Sequence, residues 1–200
     1  MLESHAVRLH RAISWLRCAQ ENDEQADIQF ISLWIAFNAC YGVDDEQNKA
    51  LTERTIFNLF IEKLVEHDTD KDIYNLLWFK FSGPVNALLK NQYVFPPFWE
   101  AKHRELGEDH WKSRFDSCKK ATMHYLADER VPDLLSVVLD RLYVLRNQLM
   151  HGGATYQSTV NRDQVRDGCQ MLSYLMPVIV KIMLDAKDED WGDIYFPVVK

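Results

Sequence analysis

Apolar residues recur every three to four positions along most of the chain, which is the spacing of helices that bury one face. The second apolar segment is hydrophobic on nearly every side and is expected to be a central, buried helix. We therefore expect an all-α fold, a single-domain antiparallel helical bundle of about six to eight helices that spans residues 1–200. The pattern places helices over residues 4–20, 24–41, 52–65, 70–80, 108–127, 132–150 and 161–186.

Three places interrupt the helical pattern. Gly83-Pro84 is expected to break or kink the fourth helix, because proline removes a backbone donor. Residues 91–107 contain Pro96-Pro97 and several aromatic side chains, which favour an ordered loop lying on the helices. Residues 188–200 begin acidic and end in an apolar run, which predicts an irregular tail that is either a short extended piece or a partner-contacting end.

Composition narrows the class of protein. The 200 residues are 47% hydrophobic, enough for a core without a disulfide or metal, and 7 Gly and 6 Pro are too few for a β-sandwich or barrel. A net charge of -7 argues against coating nucleic acid by bulk electrostatics but allows a local basic cleft. The four cysteines are widely spaced without a C-x-x-C, as in a reducing cytoplasm, and no signal peptide or membrane span is expected.

The common catalytic fingerprints are missing from the sequence. There is no phosphate-binding G-x-x-x-x-G-K-[ST], no G-x-G-x-x-G, no H-E-x-x-H and no G-x-S-x-G. His103, Glu105, Asp109 and His110 lack the i, i+4 pairing that presents two metal ligands on one helix face. We therefore predict no metal site and no cofactor.

Residues 132–156 carry the most informative pattern. One helix face is apolar and predicts the stripe that a bundle helix buries, formed by Leu134, Leu135, Val138, Leu142, Leu145 and Leu149. A second row, predicted to form a partner surface or a cleft, consists of Val137, Asp140, Val144, Asn147 and His151. Gly152-Gly153 predicts that the helix ends at His151. A plainer interpretation is that His151 only caps the final carbonyls.

The run Arg146-Asn147-Gln148-Leu149-Met150-His151 resembles the R-x4-6-H motif of HEPN domains, with Asn147 as the polar residue that commonly follows the motif arginine. The motif also has the expected setting, near the end of a late helix that is followed by a loop and a long closing helix. The aromatic-rich segment 30–42, FISLWIAFNACYG, is similar to the early helix of the Apea-like branch of that family.

This resemblance implies a homodimer in which the motifs of both protomers face one cleft, with Val137, Asp140 and Val144 at the interface. It also implies a metal-independent endoribonuclease, a toxin or defence effector, that cuts RNA by 2′-hydroxyl attack. In that chemistry His151 transfers the proton, Arg146 stabilises the phosphorane oxygens and Asn147 orients the imidazole or binds phosphate. The expected RNA-binding patch consists of Arg141, Arg162 and Arg166 together with the motif arginine.

Other interpretations stay open at the level of sequence. Part of the HEPN family is non-catalytic, so the chain is alternatively a helical module that binds a nucleotide, RNA or protein partner, or an unrelated all-α fold with a chance motif. An antitoxin or another regulatory protein is a further expected partner. Some HEPN toxins carry R-x4-H-x-Y, where the antitoxin modifies the tyrosine; here that position is Gly153, so regulation by this route is not expected.

Overall fold

The computed structural model describes residues 2–42, 53–153, 155–159 and 162–199, with residues 53 and 54 as backbone only. Within these residues the fold is all-α, which confirms the predicted fold class. The α-helices are α1 (Glu3–Glu21), α2 (Ala26–Tyr41), α3 (Glu53–His67), α4 (Asp72–Asn75), α5 (Ser82–Lys90), α6 (Pro96–His103), α7 (Asp109–Ala127), α8 (Val131–Met150) and α9 (Arg162–Asp185). A π-helical turn covers Leu76–Lys80 and a 3-10 turn covers Gln92–Val94.

Two predictions about the interruptions were wrong. The chain breaks at Phe81, and Gly83-Pro84 lies inside the first turn of α5, where proline is tolerated because its missing N–H has no helical partner. Most of the predicted loop at 91–107 is helical, since it holds the 3-10 turn and α6. Pro96 and Pro97 begin α6 instead of preventing it.

By its contacts the chain divides into two compact units. The first consists of the described residues of Met1–Ile73 and Gly168–Lys200, and the second is Tyr74–Asp167. Both boundaries fall inside helices, in α4 and in α9. The prediction of one domain spanning residues 1–200 stays a prediction.

The first unit is organised around a buried arginine. Arg8 of α1 is 1% exposed. Its Nη1 donates to the carbonyls of Cys40 and Gly42 at 2.8 Å, at the end of α2. Its Nη2 donates to the carbonyl of Gly192 at 3.0 Å, in the C-terminal tail. Burial lowers the pKa of the guanidinium. Arg8 therefore satisfies carbonyls that the end of α2 leaves free and attaches the tail to the same place.

Aromatic packing fills the rest of this unit. Phe37 is fully buried and packs edge-on against Phe57 and Phe60 of α3, with ring centroids 5.9 and 6.2 Å apart. Trp191 of the tail packs against Phe60 at 5.8 Å and against His5 of α1 at 6.2 Å. The tail from 188 to 199 contains no helix, and its first half is anchored to the core through Arg8 and Trp191.

Helix α9 is long and apolar enough to cross a membrane by length and composition alone. In the structure, 56% of its most apolar 18-residue window is buried. A buried helix of a globular protein meets the same criteria, so this helix is weak evidence for a membrane span.

The second unit has its own aromatic cluster, formed by Phe95, Phe98, Ala101, Trp111 and Phe115 of α6, α7 and the turn before them. The rings meet mostly edge-to-face at about 5 to 6 Å, the arrangement that aromatic pairs favour. Helix α8 packs on this cluster through Arg141, whose guanidinium lies 4.5 Å from the centre of the Phe95 ring. This cluster and α8 position the end of α8, where the motif lies.

Candidate functional site

The end of α8 is fixed by a Schellman turn. The Gly153 N–H donates to the Gln148 carbonyl at 2.7 Å, and the Gly152 N–H donates to the Leu149 carbonyl at 3.4 Å. Gly152 has φ +69°, the left-handed conformation that this turn needs and that glycine adopts without steric strain. His151 is therefore the C-cap residue of α8, as the two glycines predicted.

The His151 side chain is exposed at this helix end. Its backbone N–H closes the last helical bond to the Asn147 carbonyl at 3.0 Å. Within the described residues its imidazole makes no hydrogen bond or ion pair. The Gln148 and Leu149 carbonyls accept instead from the N–H groups of Gly153 and Gly152. The imidazole therefore does not cap them, which differs from the plainer interpretation.

Arg146 is held in place from two sides. Its Nη1 donates to Oδ1 of Asn147 at 2.8 Å. Its guanidinium carbon lies 5.7 Å from the centre of the Tyr143 ring, which is a cation–π distance. Arg146 and Asn147 are half-buried and Tyr143 is 39% exposed. The structure thus brings Arg146 and Asn147 together and adds Tyr143, which the sequence analysis missed although it lies three residues before the arginine.

A second contact missed by the sequence analysis anchors the same turn of α8. Gln148 donates its Nε2 to the backbone carbonyl of Tyr93 at 2.6 Å, and Trp99 donates its Nε1 to the same carbonyl at 2.7 Å. Tyr93 belongs to the 3-10 turn before α6, and its ring is 47% exposed. The turn that carries the motif is therefore tied to the aromatic cluster of the second unit.

No protein-family model, no curated protein sequence and no solved structure matches this chain. The resemblance to HEPN domains stays a prediction from the sequence. It rests on the motif RNQLMH at the end of α8 and the aromatic segment of α2.

The predicted second row of α8 needs a correction at Val144. This side chain is 8% exposed, so it packs inside the second unit and is not available to a partner. The reason is that α8 buries more than half of its circumference, including Leu139 and Arg141 beside the predicted stripe. Val137 and Asp140 are half-buried.

The accessible face of α8 follows a different row. Its members recur every three or four residues and are partly or largely exposed, namely Ser136, Asp140, Tyr143, Asn147 and Met150. The Met150 side chain is 54% exposed. Two large apolar side chains, Tyr143 and Met150, therefore stand beside the motif, where the sequence analysis expected Val144.

Arg141 also has to be removed from the predicted RNA-binding patch. It is 2% exposed, donates to the Val94 carbonyl at 3.3 Å and to the Cys118 sulfur at 3.5 Å, and lies over the Phe95 ring. Burial lowers its pKa, while the nearby Cys118 and Asp140 oppose that shift. A side chain with these partners serves the core of the second unit and does not reach a phosphate.

Arg162 and Arg166 lie in the first turns of α9. Arg162 is half-buried and donates to the Ser158 carbonyl at 2.9 Å, four residues earlier in the chain. Arg166 is exposed and lies 3.6 Å from the carboxylate of Asp163. Both remain candidates for RNA contact. Across the described ranges, no group of three or more His, Cys, Asp or Glu side chains is placed to hold a metal ion.

Proposed function

We propose that the chain is a metal-independent endoribonuclease of HEPN type whose site consists of Arg146, Asn147 and His151 from two copies of the chain. The observation that carries the proposal is made at the end of α8. There the exposed imidazole of His151 has no hydrogen-bond partner among the described residues, and Arg146 is held by the side chains of Asn147 and Tyr143. A general acid or base must be free to reach its proton, and an electrostatic group works best when it is held in place beforehand.

The proposed reaction uses the 2′-hydroxyl of RNA as the nucleophile. The 2′-oxygen bonds to phosphorus while the bond between phosphorus and the 5′-oxygen breaks, which leaves a 2′,3′-cyclic phosphate and a free 5′-hydroxyl. His151 accepts the proton of the 2′-hydroxyl, and the imidazolium that this forms returns the proton to the leaving 5′-oxygen. Arg146 stabilises the charge on the phosphorane oxygens. Asn147 is a positioning residue, because its Oδ1 accepts a hydrogen bond from Arg146.

A second copy enters the proposal for a geometric reason. Five residues along an α-helix turn the direction of a side chain by about 140°, so Arg146 and His151 of one chain face different ways. A symmetric pair of α8 helices brings the arginine of one chain toward the histidine of the other. The exposed Tyr143 and Met150 supply apolar surface beside the motif for such a pairing.

The first experiment is cleavage of labelled RNA in EDTA, with matched DNA as control. We expect RNA to be cut to cyclic-phosphate ends and DNA to stay intact, since DNA lacks the attacking hydroxyl. His151→Ala should lower the rate on the order of a hundred-fold or more while its circular dichroism is unchanged. His110→Ala, which removes an exposed histidine from α7, is the matched control and should cut at the wild-type rate.

A mixing experiment tests the two-chain site. Arg146→Ala and His151→Ala are each expected to be inactive, and a mixture of the two should regain part of the activity, because mixed dimers contain one arginine and one histidine. If RNA is cut but the mixture stays inactive, the site lies within one chain. If a broad panel of RNAs stays intact, the endoribonuclease proposal is wrong, and the non-catalytic binding module takes its place.

A further inference from the structure

Tyr93 is exposed at the surface of the second unit although its backbone is fixed on three sides. The residue is 47% exposed. Its N–H donates to Oδ1 of Asn91 at 2.9 Å. Its carbonyl accepts from Nε2 of Gln148 at 2.6 Å and from Nε1 of Trp99 at 2.7 Å. An exposed ring on a backbone held this closely is placed in advance for a ligand and loses little freedom when one binds.

The contacts of the Tyr93 ring leave it able to receive a planar group. Within the part of the chain that the structure describes, it meets one other ring, that of Phe98, with centroids 5.4 Å apart and planes at 86°. A neighbour in such an edge-to-face pair covers at most one face of a ring. Since nearly half of Tyr93 is exposed, a second flat ring can stack on it.

Tyr93 is tied to the turn of α8 that carries the motif. Gln148, which bonds the Tyr93 carbonyl, lies three residues before His151, and residues three apart are neighbours on a helix surface. After His151 the chain turns back over Gln148, because the Gly153 N–H donates to the Gln148 carbonyl at 2.7 Å. One helical turn, roughly 5 Å along α8, therefore separates His151 from the residue that holds Tyr93.

The charge of the second unit suits RNA better than that of the first. Residues 74–167 contain 13 Lys and Arg against 11 Asp and Glu, a formal charge of +2. The rest of the sequence contains 10 against 19, a formal charge of -9. Because like charges repel, a phosphate chain meets less repulsion over the unit that contains Tyr93.

We propose that Tyr93 stacks on an unpaired base of the RNA, next to the phosphate on which Arg146 and His151 act. This role rests on the proposed function, because it takes RNA as the ligand. Every base has a flat face, so stacking accepts any sequence, but a base inside a duplex is already stacked and does not reach the ring. Tyr93 therefore selects unpaired RNA, and Gln148 is the residue that positions it.

The test measures RNA binding by His151→Ala protein, so that the probes are not cut. Fluorescence anisotropy follows three labelled probes, namely (AC)6 RNA, an abasic ribose-phosphate chain of the same length, and (AC)6 paired with (GU)6. Adding Tyr93→Leu should weaken (AC)6 about tenfold, the value of one lost stack, and should change the other two probes by less than about twofold. The abasic chain has the same phosphates, so it separates stacking from charge.

Two further variants serve as controls in the same protein. Tyr93→Phe should bind (AC)6 as tightly as Tyr93 does, because stacking needs the ring and the hydroxyl makes no hydrogen bond among the described residues. Tyr195→Leu removes a tyrosine that is 54% exposed in the tail of the first unit, and it should leave all three probes unchanged.

A crosslinking measurement needs no change at Tyr93 and therefore holds even if Tyr93→Leu fails to fold. His151→Ala protein is irradiated with (AC)6 that contains 5-iodocytidine, and the crosslinked residue is identified by mass spectrometry. We expect the crosslink at Tyr93, and we expect pairing with (GU)6 to remove it. A crosslink only at other residues would contradict the proposal.

Three binding results would overturn the stacking role of Tyr93. The first is that a folded Tyr93→Leu variant weakens (AC)6 and the abasic chain equally. The second is that this variant binds (AC)6 as before but dimerises more weakly in sedimentation, which would place the ring in a protein interface. The third is that none of the probes binds. Cleavage decides the other proposal separately, because RNA that is bound through Tyr93 and never cut would end the ribonuclease proposal and leave the stacking role.

Discussion

Replacing Gly152 by alanine tests the turn that places His151. Gly152 has φ +69°, and no atom lies within 4 Å of the Cβ that alanine would add. The expected loss of stability therefore comes from backbone strain and not from a steric clash. A left-handed conformation costs an L-residue roughly 1 to 2 kcal/mol. Alanine also restricts the unfolded chain, which returns about 0.4 to 1 kcal/mol. The expected net loss of stability is therefore about 1 kcal/mol.

The measurement is urea unfolding at 25 °C followed by circular dichroism, with thermal unfolding beside it. A loss of about 1 kcal/mol lowers the melting temperature of a chain of this size by about 2 to 4 °C, and the denaturant slope should stay the same. Gly152→Asn should lose less than Gly152→Ala, because asparagine enters the left-handed region more readily. Gly107→Ala is the control, since its added Cβ meets nothing and its backbone is not left-handed.

The reasoning would be refuted if Gly152→Ala were as stable as wild type, or if asparagine were the worse replacement. Either result would show that α8 does not end in the Schellman turn. The placement of His151 at the C-cap would then lose its basis. Because the chain contains two compact units, a single free energy of unfolding applies only if circular dichroism and fluorescence give the same unfolding transition.

Two further predictions concern buried cationic or titratable side chains. Arg141→Ala should lower the free energy of unfolding in urea by about 2 to 4 kcal/mol, because it empties a core position. Arg141→Met keeps the packing, so it should lower the stability less and leave the affinity for RNA unchanged. Weaker RNA binding by a fully folded Arg141→Met would show that this residue does belong to the RNA-binding patch. His5 is 2% exposed, and burial lowers its pKa although the Met183 carbonyl opposes the shift. The unfolded chain therefore binds a proton that the folded chain excludes, so stability should fall as the pH drops below about 6.5. His5→Leu should make the loss of stability between pH 7 and 5 smaller, whereas His110→Leu should not. If stability fell equally steeply with pH in wild type and in His5→Leu, the decline would not come from His5.

The helices themselves were predictable because their apolar spacing is regular and their ends carry ordinary signals. The start and end of α2, α7 and α8 lie within two residues of the positions expected from the sequence. Five of the six residues expected to form the buried stripe of α8 are buried, and Leu149 is half-buried. The sequence analysis missed α5 and α6, which both have proline in the first turn. Proline in that position favours the start of a helix, although elsewhere it marks a helix end.

The main error about the site concerns a buried arginine, Arg141. Arg141 lies seven residues after Leu134 and four before Leu145, so spacing alone places it on the core face of α8. The sequence analysis nevertheless assigned Arg141 to an exposed basic patch for RNA. Arg8 has the same relation to the core of the first unit, because it lies three residues after His5 and four before Ala12, both of which are buried. What the sequence does not contain is the partner of each guanidinium, since carbonyls and ring faces become available only when the helices pack.

The contacts of Arg146 also bear on whether one chain can do the proposed chemistry alone. For Arg146 to reach a phosphate held at His151 of the same chain, its guanidinium would have to turn around α8 and leave both the Asn147 oxygen and the Tyr143 ring. The loss of those two contacts would cost part of the stabilisation that the arginine is there to give. A second chain removes that cost, because the guanidinium stays where it is and the histidine arrives from the partner. Partial recovery of cleavage in mixtures of Arg146→Ala and His151→Ala is therefore the result that the conformation of Arg146 itself favours.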